Sequence, residues 1–186
     1  MKMCRTLAVI TALTGAVTAF NSHANGLLEG TVWSEASRNS SCNIDAELLY
    51  AVALIESRRG VTQGYISPHA YALRNEPRGA FYPQTLEDAK QYLKIFLEED
   101  RLTDIGAMQI NYRWNGHLVD KPEDLLDLKT NIETGAKILC NSIKTFPSDL
   151  RLGIGGYHTM NPERKDDAIA YGERVLAVWK NLARRS

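Results

Sequence analysis

In the stretch AELLYAVALIESRRG, residues 46–60, Leu49, Val52 and Glu56 stand at i, i+3 and i+7. They share one face of a helix, and Leu48, Val52 and Ile55 mark the same side. A carboxyl at the end of a face that packs inward is costly as an anion. It either pairs with a cation, for which Arg58 and Arg59 are at hand, or holds its proton to unusually high pH. A carboxyl still protonated near neutrality can donate to a leaving oxygen as a general acid.

Two other stretches carry groups suited to a ligand. DIGAMQIN, residues 104–111, sets Gly106 and Ala107 beside Met108, Gln109 and Asn111. GIGGYHTMN, residues 153–161, sets glycines before Tyr157 and His158. Small residues let backbone approach a ligand closely. Gln, Asn and Tyr offer hydrogen bonds that fit sugar hydroxyls and acetamido groups. The plainer reading is that Met108 and Ile110 are core and Tyr157 a half-buried ring. Metal and nucleophile chemistry fare worse. His69, His117 and His158 form no pair with zinc-ligand spacing. The glycines of residues 153–156 are followed by no Lys-Ser/Thr of a phosphate loop. No metal and no cofactor is expected.

These groups need elements to hold them. The acid sits on a helix over about residues 43–57, with Asn43 or Asp45 near its start. Residues 67–84 alternate His69, Tyr71 and Leu73 with small or polar residues, then turn at 75–79 before Phe81 and Tyr82. That reads as a β-hairpin. Its Tyr71 and Tyr82 offer flat faces on which sugars stack; the alternative is that the rings only anchor the hairpin to the core. Thr85 caps a helix to about 99. Residues 103–117 read as a structured loop, and Thr130-Asn131-Ile132-Glu133 as a capping box opening the next helix. Residues 151–163 read as a glycine-rich break, and 165–183 as a last helix with Ala168, Val175, Trp179 and Leu182 on one face. The fold class is mainly α, an α+β arrangement of helices around a groove with one small β-hairpin.

Lys2 and Arg5, the apolar run 7–20 and Ser22-His23-Ala24 have the layout of a secretory leader over residues 1–24. A retained anchor is the alternative. Residues 25–42 read as a loose lead-in and 43–186 as one domain. Removing Lys2 and Arg5 leaves 20 basic against 22 acidic side chains, a net charge of −2. Bulk charge thus gives no support for nucleic-acid binding. Cys42 and Cys140 remain, an even count that in an exported chain points to one disulfide, with two free thiols as the alternative.

In their order, ALIES, GAMQIN, NIETGAKIL and GGYH resemble the family 1 lytic transglycosylases, over roughly residues 43–180. The resemblance implies a goose-type-lysozyme-like fold and a periplasmic monomer that cleaves peptidoglycan. Glu56 matches the catalytic acid/base and Ser57 the serine after it. Gly106, Met108 and Gln109 match the Gly-x-Met-Gln segment lining the sugar groove, and Tyr157 the tyrosine that points at the acid. Asn111 and His158 extend the expected substrate-binding set. Ala107 stands where leucine is usual, His158 where asparagine is, and Thr159-Met160 where Ala-Gly is. The hairpin with its SPHAYAL start is similar to the subgroup attached to conjugation, type IV secretion or pilus machines, whose proteins become candidate partners. The resemblance further implies cleavage between N-acetylmuramic acid and N-acetylglucosamine with a 1,6-anhydro product. A hydrolytic muramidase of the same fold and a non-catalytic glycan-binding assembly module are the alternatives. Asp104 and Glu76 are the carboxylates nearest in motif, and neither is expected to act as a second catalytic acid.

Overall fold

The computed structural model describes residues 26–60 and 66–184. The expected leader lies outside the described residues.

The acid helix is α2, Ala46–Ser57. Asp45 caps it by accepting from the Leu48 amide, a bond of a kind that contributes about 1 kcal/mol. Leu49, Ala51, Val52 and Ala53 are fully buried, so α2 is enclosed on all sides rather than along one stripe. Around it pack α1 (Val32–Asn39), α5 (Leu128–Thr145) and α7 (Lys165–Ala183), with α6 (Leu150–Gly155) between α5 and α7. Close approach of α6 to α7 depends on Gly155, where a Cβ would stand 2.0 Å from the Ala168 carbonyl oxygen. Leu49, Phe96, Ile105, Met108, Ile132, Leu139 and Tyr171 form the centre of the core.

The β structure is small and antiparallel. β1 (Arg58–Gly60) leaves the end of α2 and pairs with β2 (Ile66–Pro68). A second sheet has the order β4-β3-β5-β6, with β3 at Leu73–Asn75, β4 at Gly79–Phe81, β5 at Asp104–Ile105 and β6 at Ile110–Asn111. The register sets Leu73 opposite both Phe81 and Ile105, and Arg74 opposite Asp104. Helix α3, Leu86–Glu99, covers this sheet through Ala89, Leu93 and Phe96, and Thr85 caps it.

The mainly α, α+β class expected from the sequence is the observed one. Several boundaries differ. The expected hairpin is β3 and β4 alone, since Ile66–Pro68 pairs instead with the strand leaving the acid helix. The loop over 103–117 contains the β5–β6 hairpin and the short helix α4, Tyr112–Asn115. The expected loose lead-in contains α1, which Thr31 caps and which buries Trp33 and Ala36. Helix α5 starts at Leu128 under an Asp127 cap rather than at Thr130, which frees Asn131 for the core. The glycine-rich break holds α6. Cys42, in the turn between α1 and α2, is disulfide-bonded to Cys140 of α5, with Cα atoms 5.7 Å apart. Among the described residues no helix is long and apolar enough to cross a membrane.

Candidate active site

Glu56 occupies the last turn of α2. The next residue fixes that end. The Ser57 hydroxyl donates to the Ala107 carbonyl at 2.7 Å and accepts from the His69 amide at 3.1 Å. Ser57 is 1% exposed, so it ties the acid helix to the GAMQ segment and to β2 rather than meeting a ligand.

The GAMQ segment is a tight turn between β5 and β6. Gly106 has φ of +79°, and a Cβ there would stand 2.2 Å from the Asn131 amide nitrogen. Asn131 is fully buried and organises the turn. Its nitrogen donates to the carbonyls of Ile105 and Leu125, and its oxygen accepts from the Met108 amide. Gln109, with φ of +46°, donates through its side-chain nitrogen to Ala72 and Gly106 carbonyls, leaving its amide oxygen as an acceptor. Holding a non-glycine residue there costs about 1–3 kcal/mol, offset by the two bonds. Met108 has no exposed surface, so its side chain belongs to the core and not to a groove wall.

A cavity of about 470 Å³ opens beside Glu56, within the usual span for ligand sites of roughly 300–1,000 Å³. Of the residues expected at a site, Glu56, Gln109, Asn111, Tyr157 and His158 line it. Tyr71 and Tyr82 do not. Tyr71 lines a different depression with Leu86 and Lys90, and the Tyr82 ring meets His69 edge to face and carries the Arg59 guanidinium over it. Asp104 and Glu76 join the cavity wall, with Arg74, Asp100 and Trp114.

Glu56 is half-buried: one side of the carboxyl meets the cavity while protein crowds the others. That burial pushes its pKa up to about 7 from an ordinary 4.5. The Tyr171 hydroxyl, donating to Glu56 Oε1 at 2.5 Å, pulls the other way, and Asp104 adds to the rise. Arg74 and Arg174 oppose it more weakly. The alternative to a retained proton, pairing with Arg58 or Arg59, is not what the structure contains. Both are exposed, and Glu56 makes no ion pair among the described residues. Burial also raises the Asp104 carboxyl, against a 2.8 Å hydrogen bond from the Asn111 amide. Among the described residues the Asn111 amide oxygen is buried without a hydrogen-bond partner, an acceptor that a ligand hydroxyl or N–H suits.

Tyr171 comes from α7 and is the main residue that the sequence reading missed. Its phenol is held well above the ordinary range by burial and by the carboxyl beside it, so it stays a donor. His158 stacks on its ring, with centroids 5.0 Å apart and planes 4° from parallel. Burial, then the nearby Arg164 and Arg174, lower the His158 pKa and keep it neutral near pH 7. Tyr157, expected from the resemblance to point at the acid, lines the cavity with Glu56; burial and then the Glu56 carboxyl hold its phenol well above the ordinary range, and its hydroxyl donates to the Met108 carbonyl at 2.7 Å. Three residues after Ala168 and four before Val175, Tyr171 sits on the inward face of α7. A hydroxyl among inward positions was the available sign of it.

The cavity therefore joins a carboxyl that is half-protonated near neutrality, a phenol that steadies it, and amide groups around an open volume. A family model described as the transglycosylase SLT domain matches residues 32–173. No curated protein and no solved structure matches the chain significantly. The matched span runs from α1 through Tyr171 and takes in every element that builds the cavity, and on it this chain belongs to the transglycosylase SLT domain family, lytic transglycosylases that act on peptidoglycan.

Proposed function

We propose that this chain cleaves peptidoglycan glycan strands at the β-1,4 bond between N-acetylmuramic acid and N-acetylglucosamine, with Glu56 first as acid and then as base. The observation that carries the reading is Glu56 itself, which burial brings to about pH 7 while Tyr171 holds one of its oxygens. A group poised there gives and takes a proton at similar cost. The protonated carboxyl passes its proton to the glycosidic oxygen, and the C1–O bond breaks to release the 4-hydroxyl of N-acetylglucosamine. The muramic acetamido group supports the charge left at C1. The carboxylate, steadied by the Tyr171 hydroxyl and by Arg74 and Arg174, then takes the proton of the muramic C6 hydroxyl, whose oxygen attacks C1. The 1,6-anhydro ring closes, no water is consumed and Glu56 is again protonated. Proximity of C6 to C1 within one sugar is worth up to roughly 7–11 kcal/mol.

A second reading is hydrolysis, favoured by one observation: Asp104 shares the cavity with Glu56. A second carboxylate on the far side of a sugar can activate water. Both readings make Glu56 the acid. The test is Glu56→Gln, which keeps the shape and loses the proton. Clearing of peptidoglycan in a gel overlay should vanish with the fold intact, whereas near wild-type clearing would overturn the assignment of Glu56.

The substrate lies outside the cytoplasm, and the leader-like residues 1–24 support export. The resemblance of the 67–84 region to the subgroup serving conjugation, secretion or pilus machines supports a role in opening the wall locally for such an apparatus.

A further inference from the structure

We propose that Trp114 is the sugar-stacking platform of this groove, holding a β-1,4-linked N-acetylhexosamine ring in a subsite next to the one that is cleaved. The proposal rests on the glycan-cleaving reading above and names where the strand is gripped. Stacking was expected of Tyr71 and Tyr82, but neither lines the cavity; Trp114 does.

Trp114 is 66% exposed, the most exposed of the large apolar side chains among the described residues. A lone exposed aromatic needs no explanation in general. This one has a defined setting. Helix α4 follows β6 directly, so Asn111, Trp114 and Asn115 fall at i, i+3 and i+4 and face the same way. All three line the cavity that holds Glu56. The Asn115 amide donates to the Asn111 carbonyl at 3.2 Å, which fixes the turn. The Arg113 guanidinium lies 5.5 Å from the centre of the indole and supports it on one side. Leu102, 42% exposed, continues the apolar patch along the wall.

The chemistry of the groove matches the cross-section of such a sugar. A β-1,4-linked pyranose with equatorial substituents has C–H bonds on its two faces and hydroxyl and acetamido groups around its edge. A face suits Trp114 and Leu102. The edge suits the polar groups around them: Arg74, Asn111 and Asn115. An indole is a large, rigid surface, so ordering it costs little side-chain entropy.

The probe is the β-1,4-linked hexamer of N-acetylglucosamine, which carries neither lactyl groups nor peptide, titrated into the Glu56→Gln protein so that nothing turns over. Indole emission should shift to the blue as Trp114 leaves water, because Trp33 is already buried and Trp179 is tied to Asp45. By calorimetry, adding Trp114→Ala should weaken binding about tenfold, equivalent to about 1.4 kcal/mol. Trp114→Phe should restore most of the loss, and neither change should lower the melting temperature. Equal hexamer affinities with and without Trp114→Ala would overturn the platform while leaving the glycan-cleaving reading standing, and would include the case of a ring that serves the peptide stem. Failure of the Glu56→Gln protein to bind the hexamer at all would also overturn the platform, while the glycan-cleaving reading falls only if the wild-type protein fails to clear peptidoglycan.

Discussion

Glu56→Gln removes an ionisation and little else, so its effect on stability should follow pH in a way set by the burial of that carboxyl. In the unfolded chain Glu56 ionises near 4.5, and in the folded protein near 7. Below pH 4.5 the carboxyl is protonated in both states and contributes no pH dependence. Between these values the folded state holds the extra proton, so wild-type stability falls as pH rises and levels off above 7. At about 1.4 kcal/mol per pH unit the full span is roughly 3 kcal/mol. Solvent in the open cavity trims this, and roughly 2 kcal/mol is the working figure from pH 5 to pH 8. Gln does not titrate and can still accept from Tyr171. Urea unfolding of both proteins at several pH values measures the difference. The variant should gain on the wild type by roughly 2 kcal/mol from pH 5 to pH 8. A difference that stays constant across that range would show that the carboxyl ionises normally, and the argument for Glu56 as an acid near neutrality would fail.

Other substitutions test the supports of the site. Tyr171→Phe deletes the hydroxyl that favours the Glu56 carboxylate, so the alkaline limb of the pH–rate profile should move to higher pH and the rate should fall; an unmoved limb would remove Tyr171 from the account. Gly106→Ala forces a Cβ into Asn131 at a left-handed backbone position and should cost more than about 3 kcal/mol by chemical denaturation. Reduction of the Cys42–Cys140 bond should lower stability by roughly 2–5 kcal/mol, and alkylation with mass spectrometry should find neither Cys42 nor Cys140 as a free thiol in oxidatively folded protein.

The acid was legible because a charged residue ended an apolar helical face, a conflict visible within fifteen residues. Its partner was not, since Tyr171 is 115 positions away and only packing of α7 on α2 unites them. Long helices announced themselves by period and caps: the last was read at 165–183, where it lies. The β5 and β6 strands have two residues each, too short for alternation to register, so the wall bearing Asp104 read as loop. At the start of α5, Asp127 and Thr130 are rival caps three residues apart. Thr130 was chosen because a glutamate follows at the capping-box spacing, whereas the helix uses Asp127, and Asn131 turns inward to hold the GAMQ turn. The tyrosines of residues 67–84 show the limit of composition. Their rings are of the right type for sugars, but Tyr71 precedes β3 and Tyr82 follows β4, where tertiary packing and not strand alternation decides the direction, and neither lines the cavity.

The central claim is that Glu56 regains its proton from the sugar's own C6 hydroxyl and not from water. Digested peptidoglycan analysed by mass spectrometry, before and after borohydride, tests it most directly. The account predicts muropeptides lighter by one water and unchanged by borohydride, absent from a Glu56→Gln digest. Products dominated by reducible muramic acid ends would contradict it and would move Asp104 from a neighbour of the acid to its partner in hydrolysis.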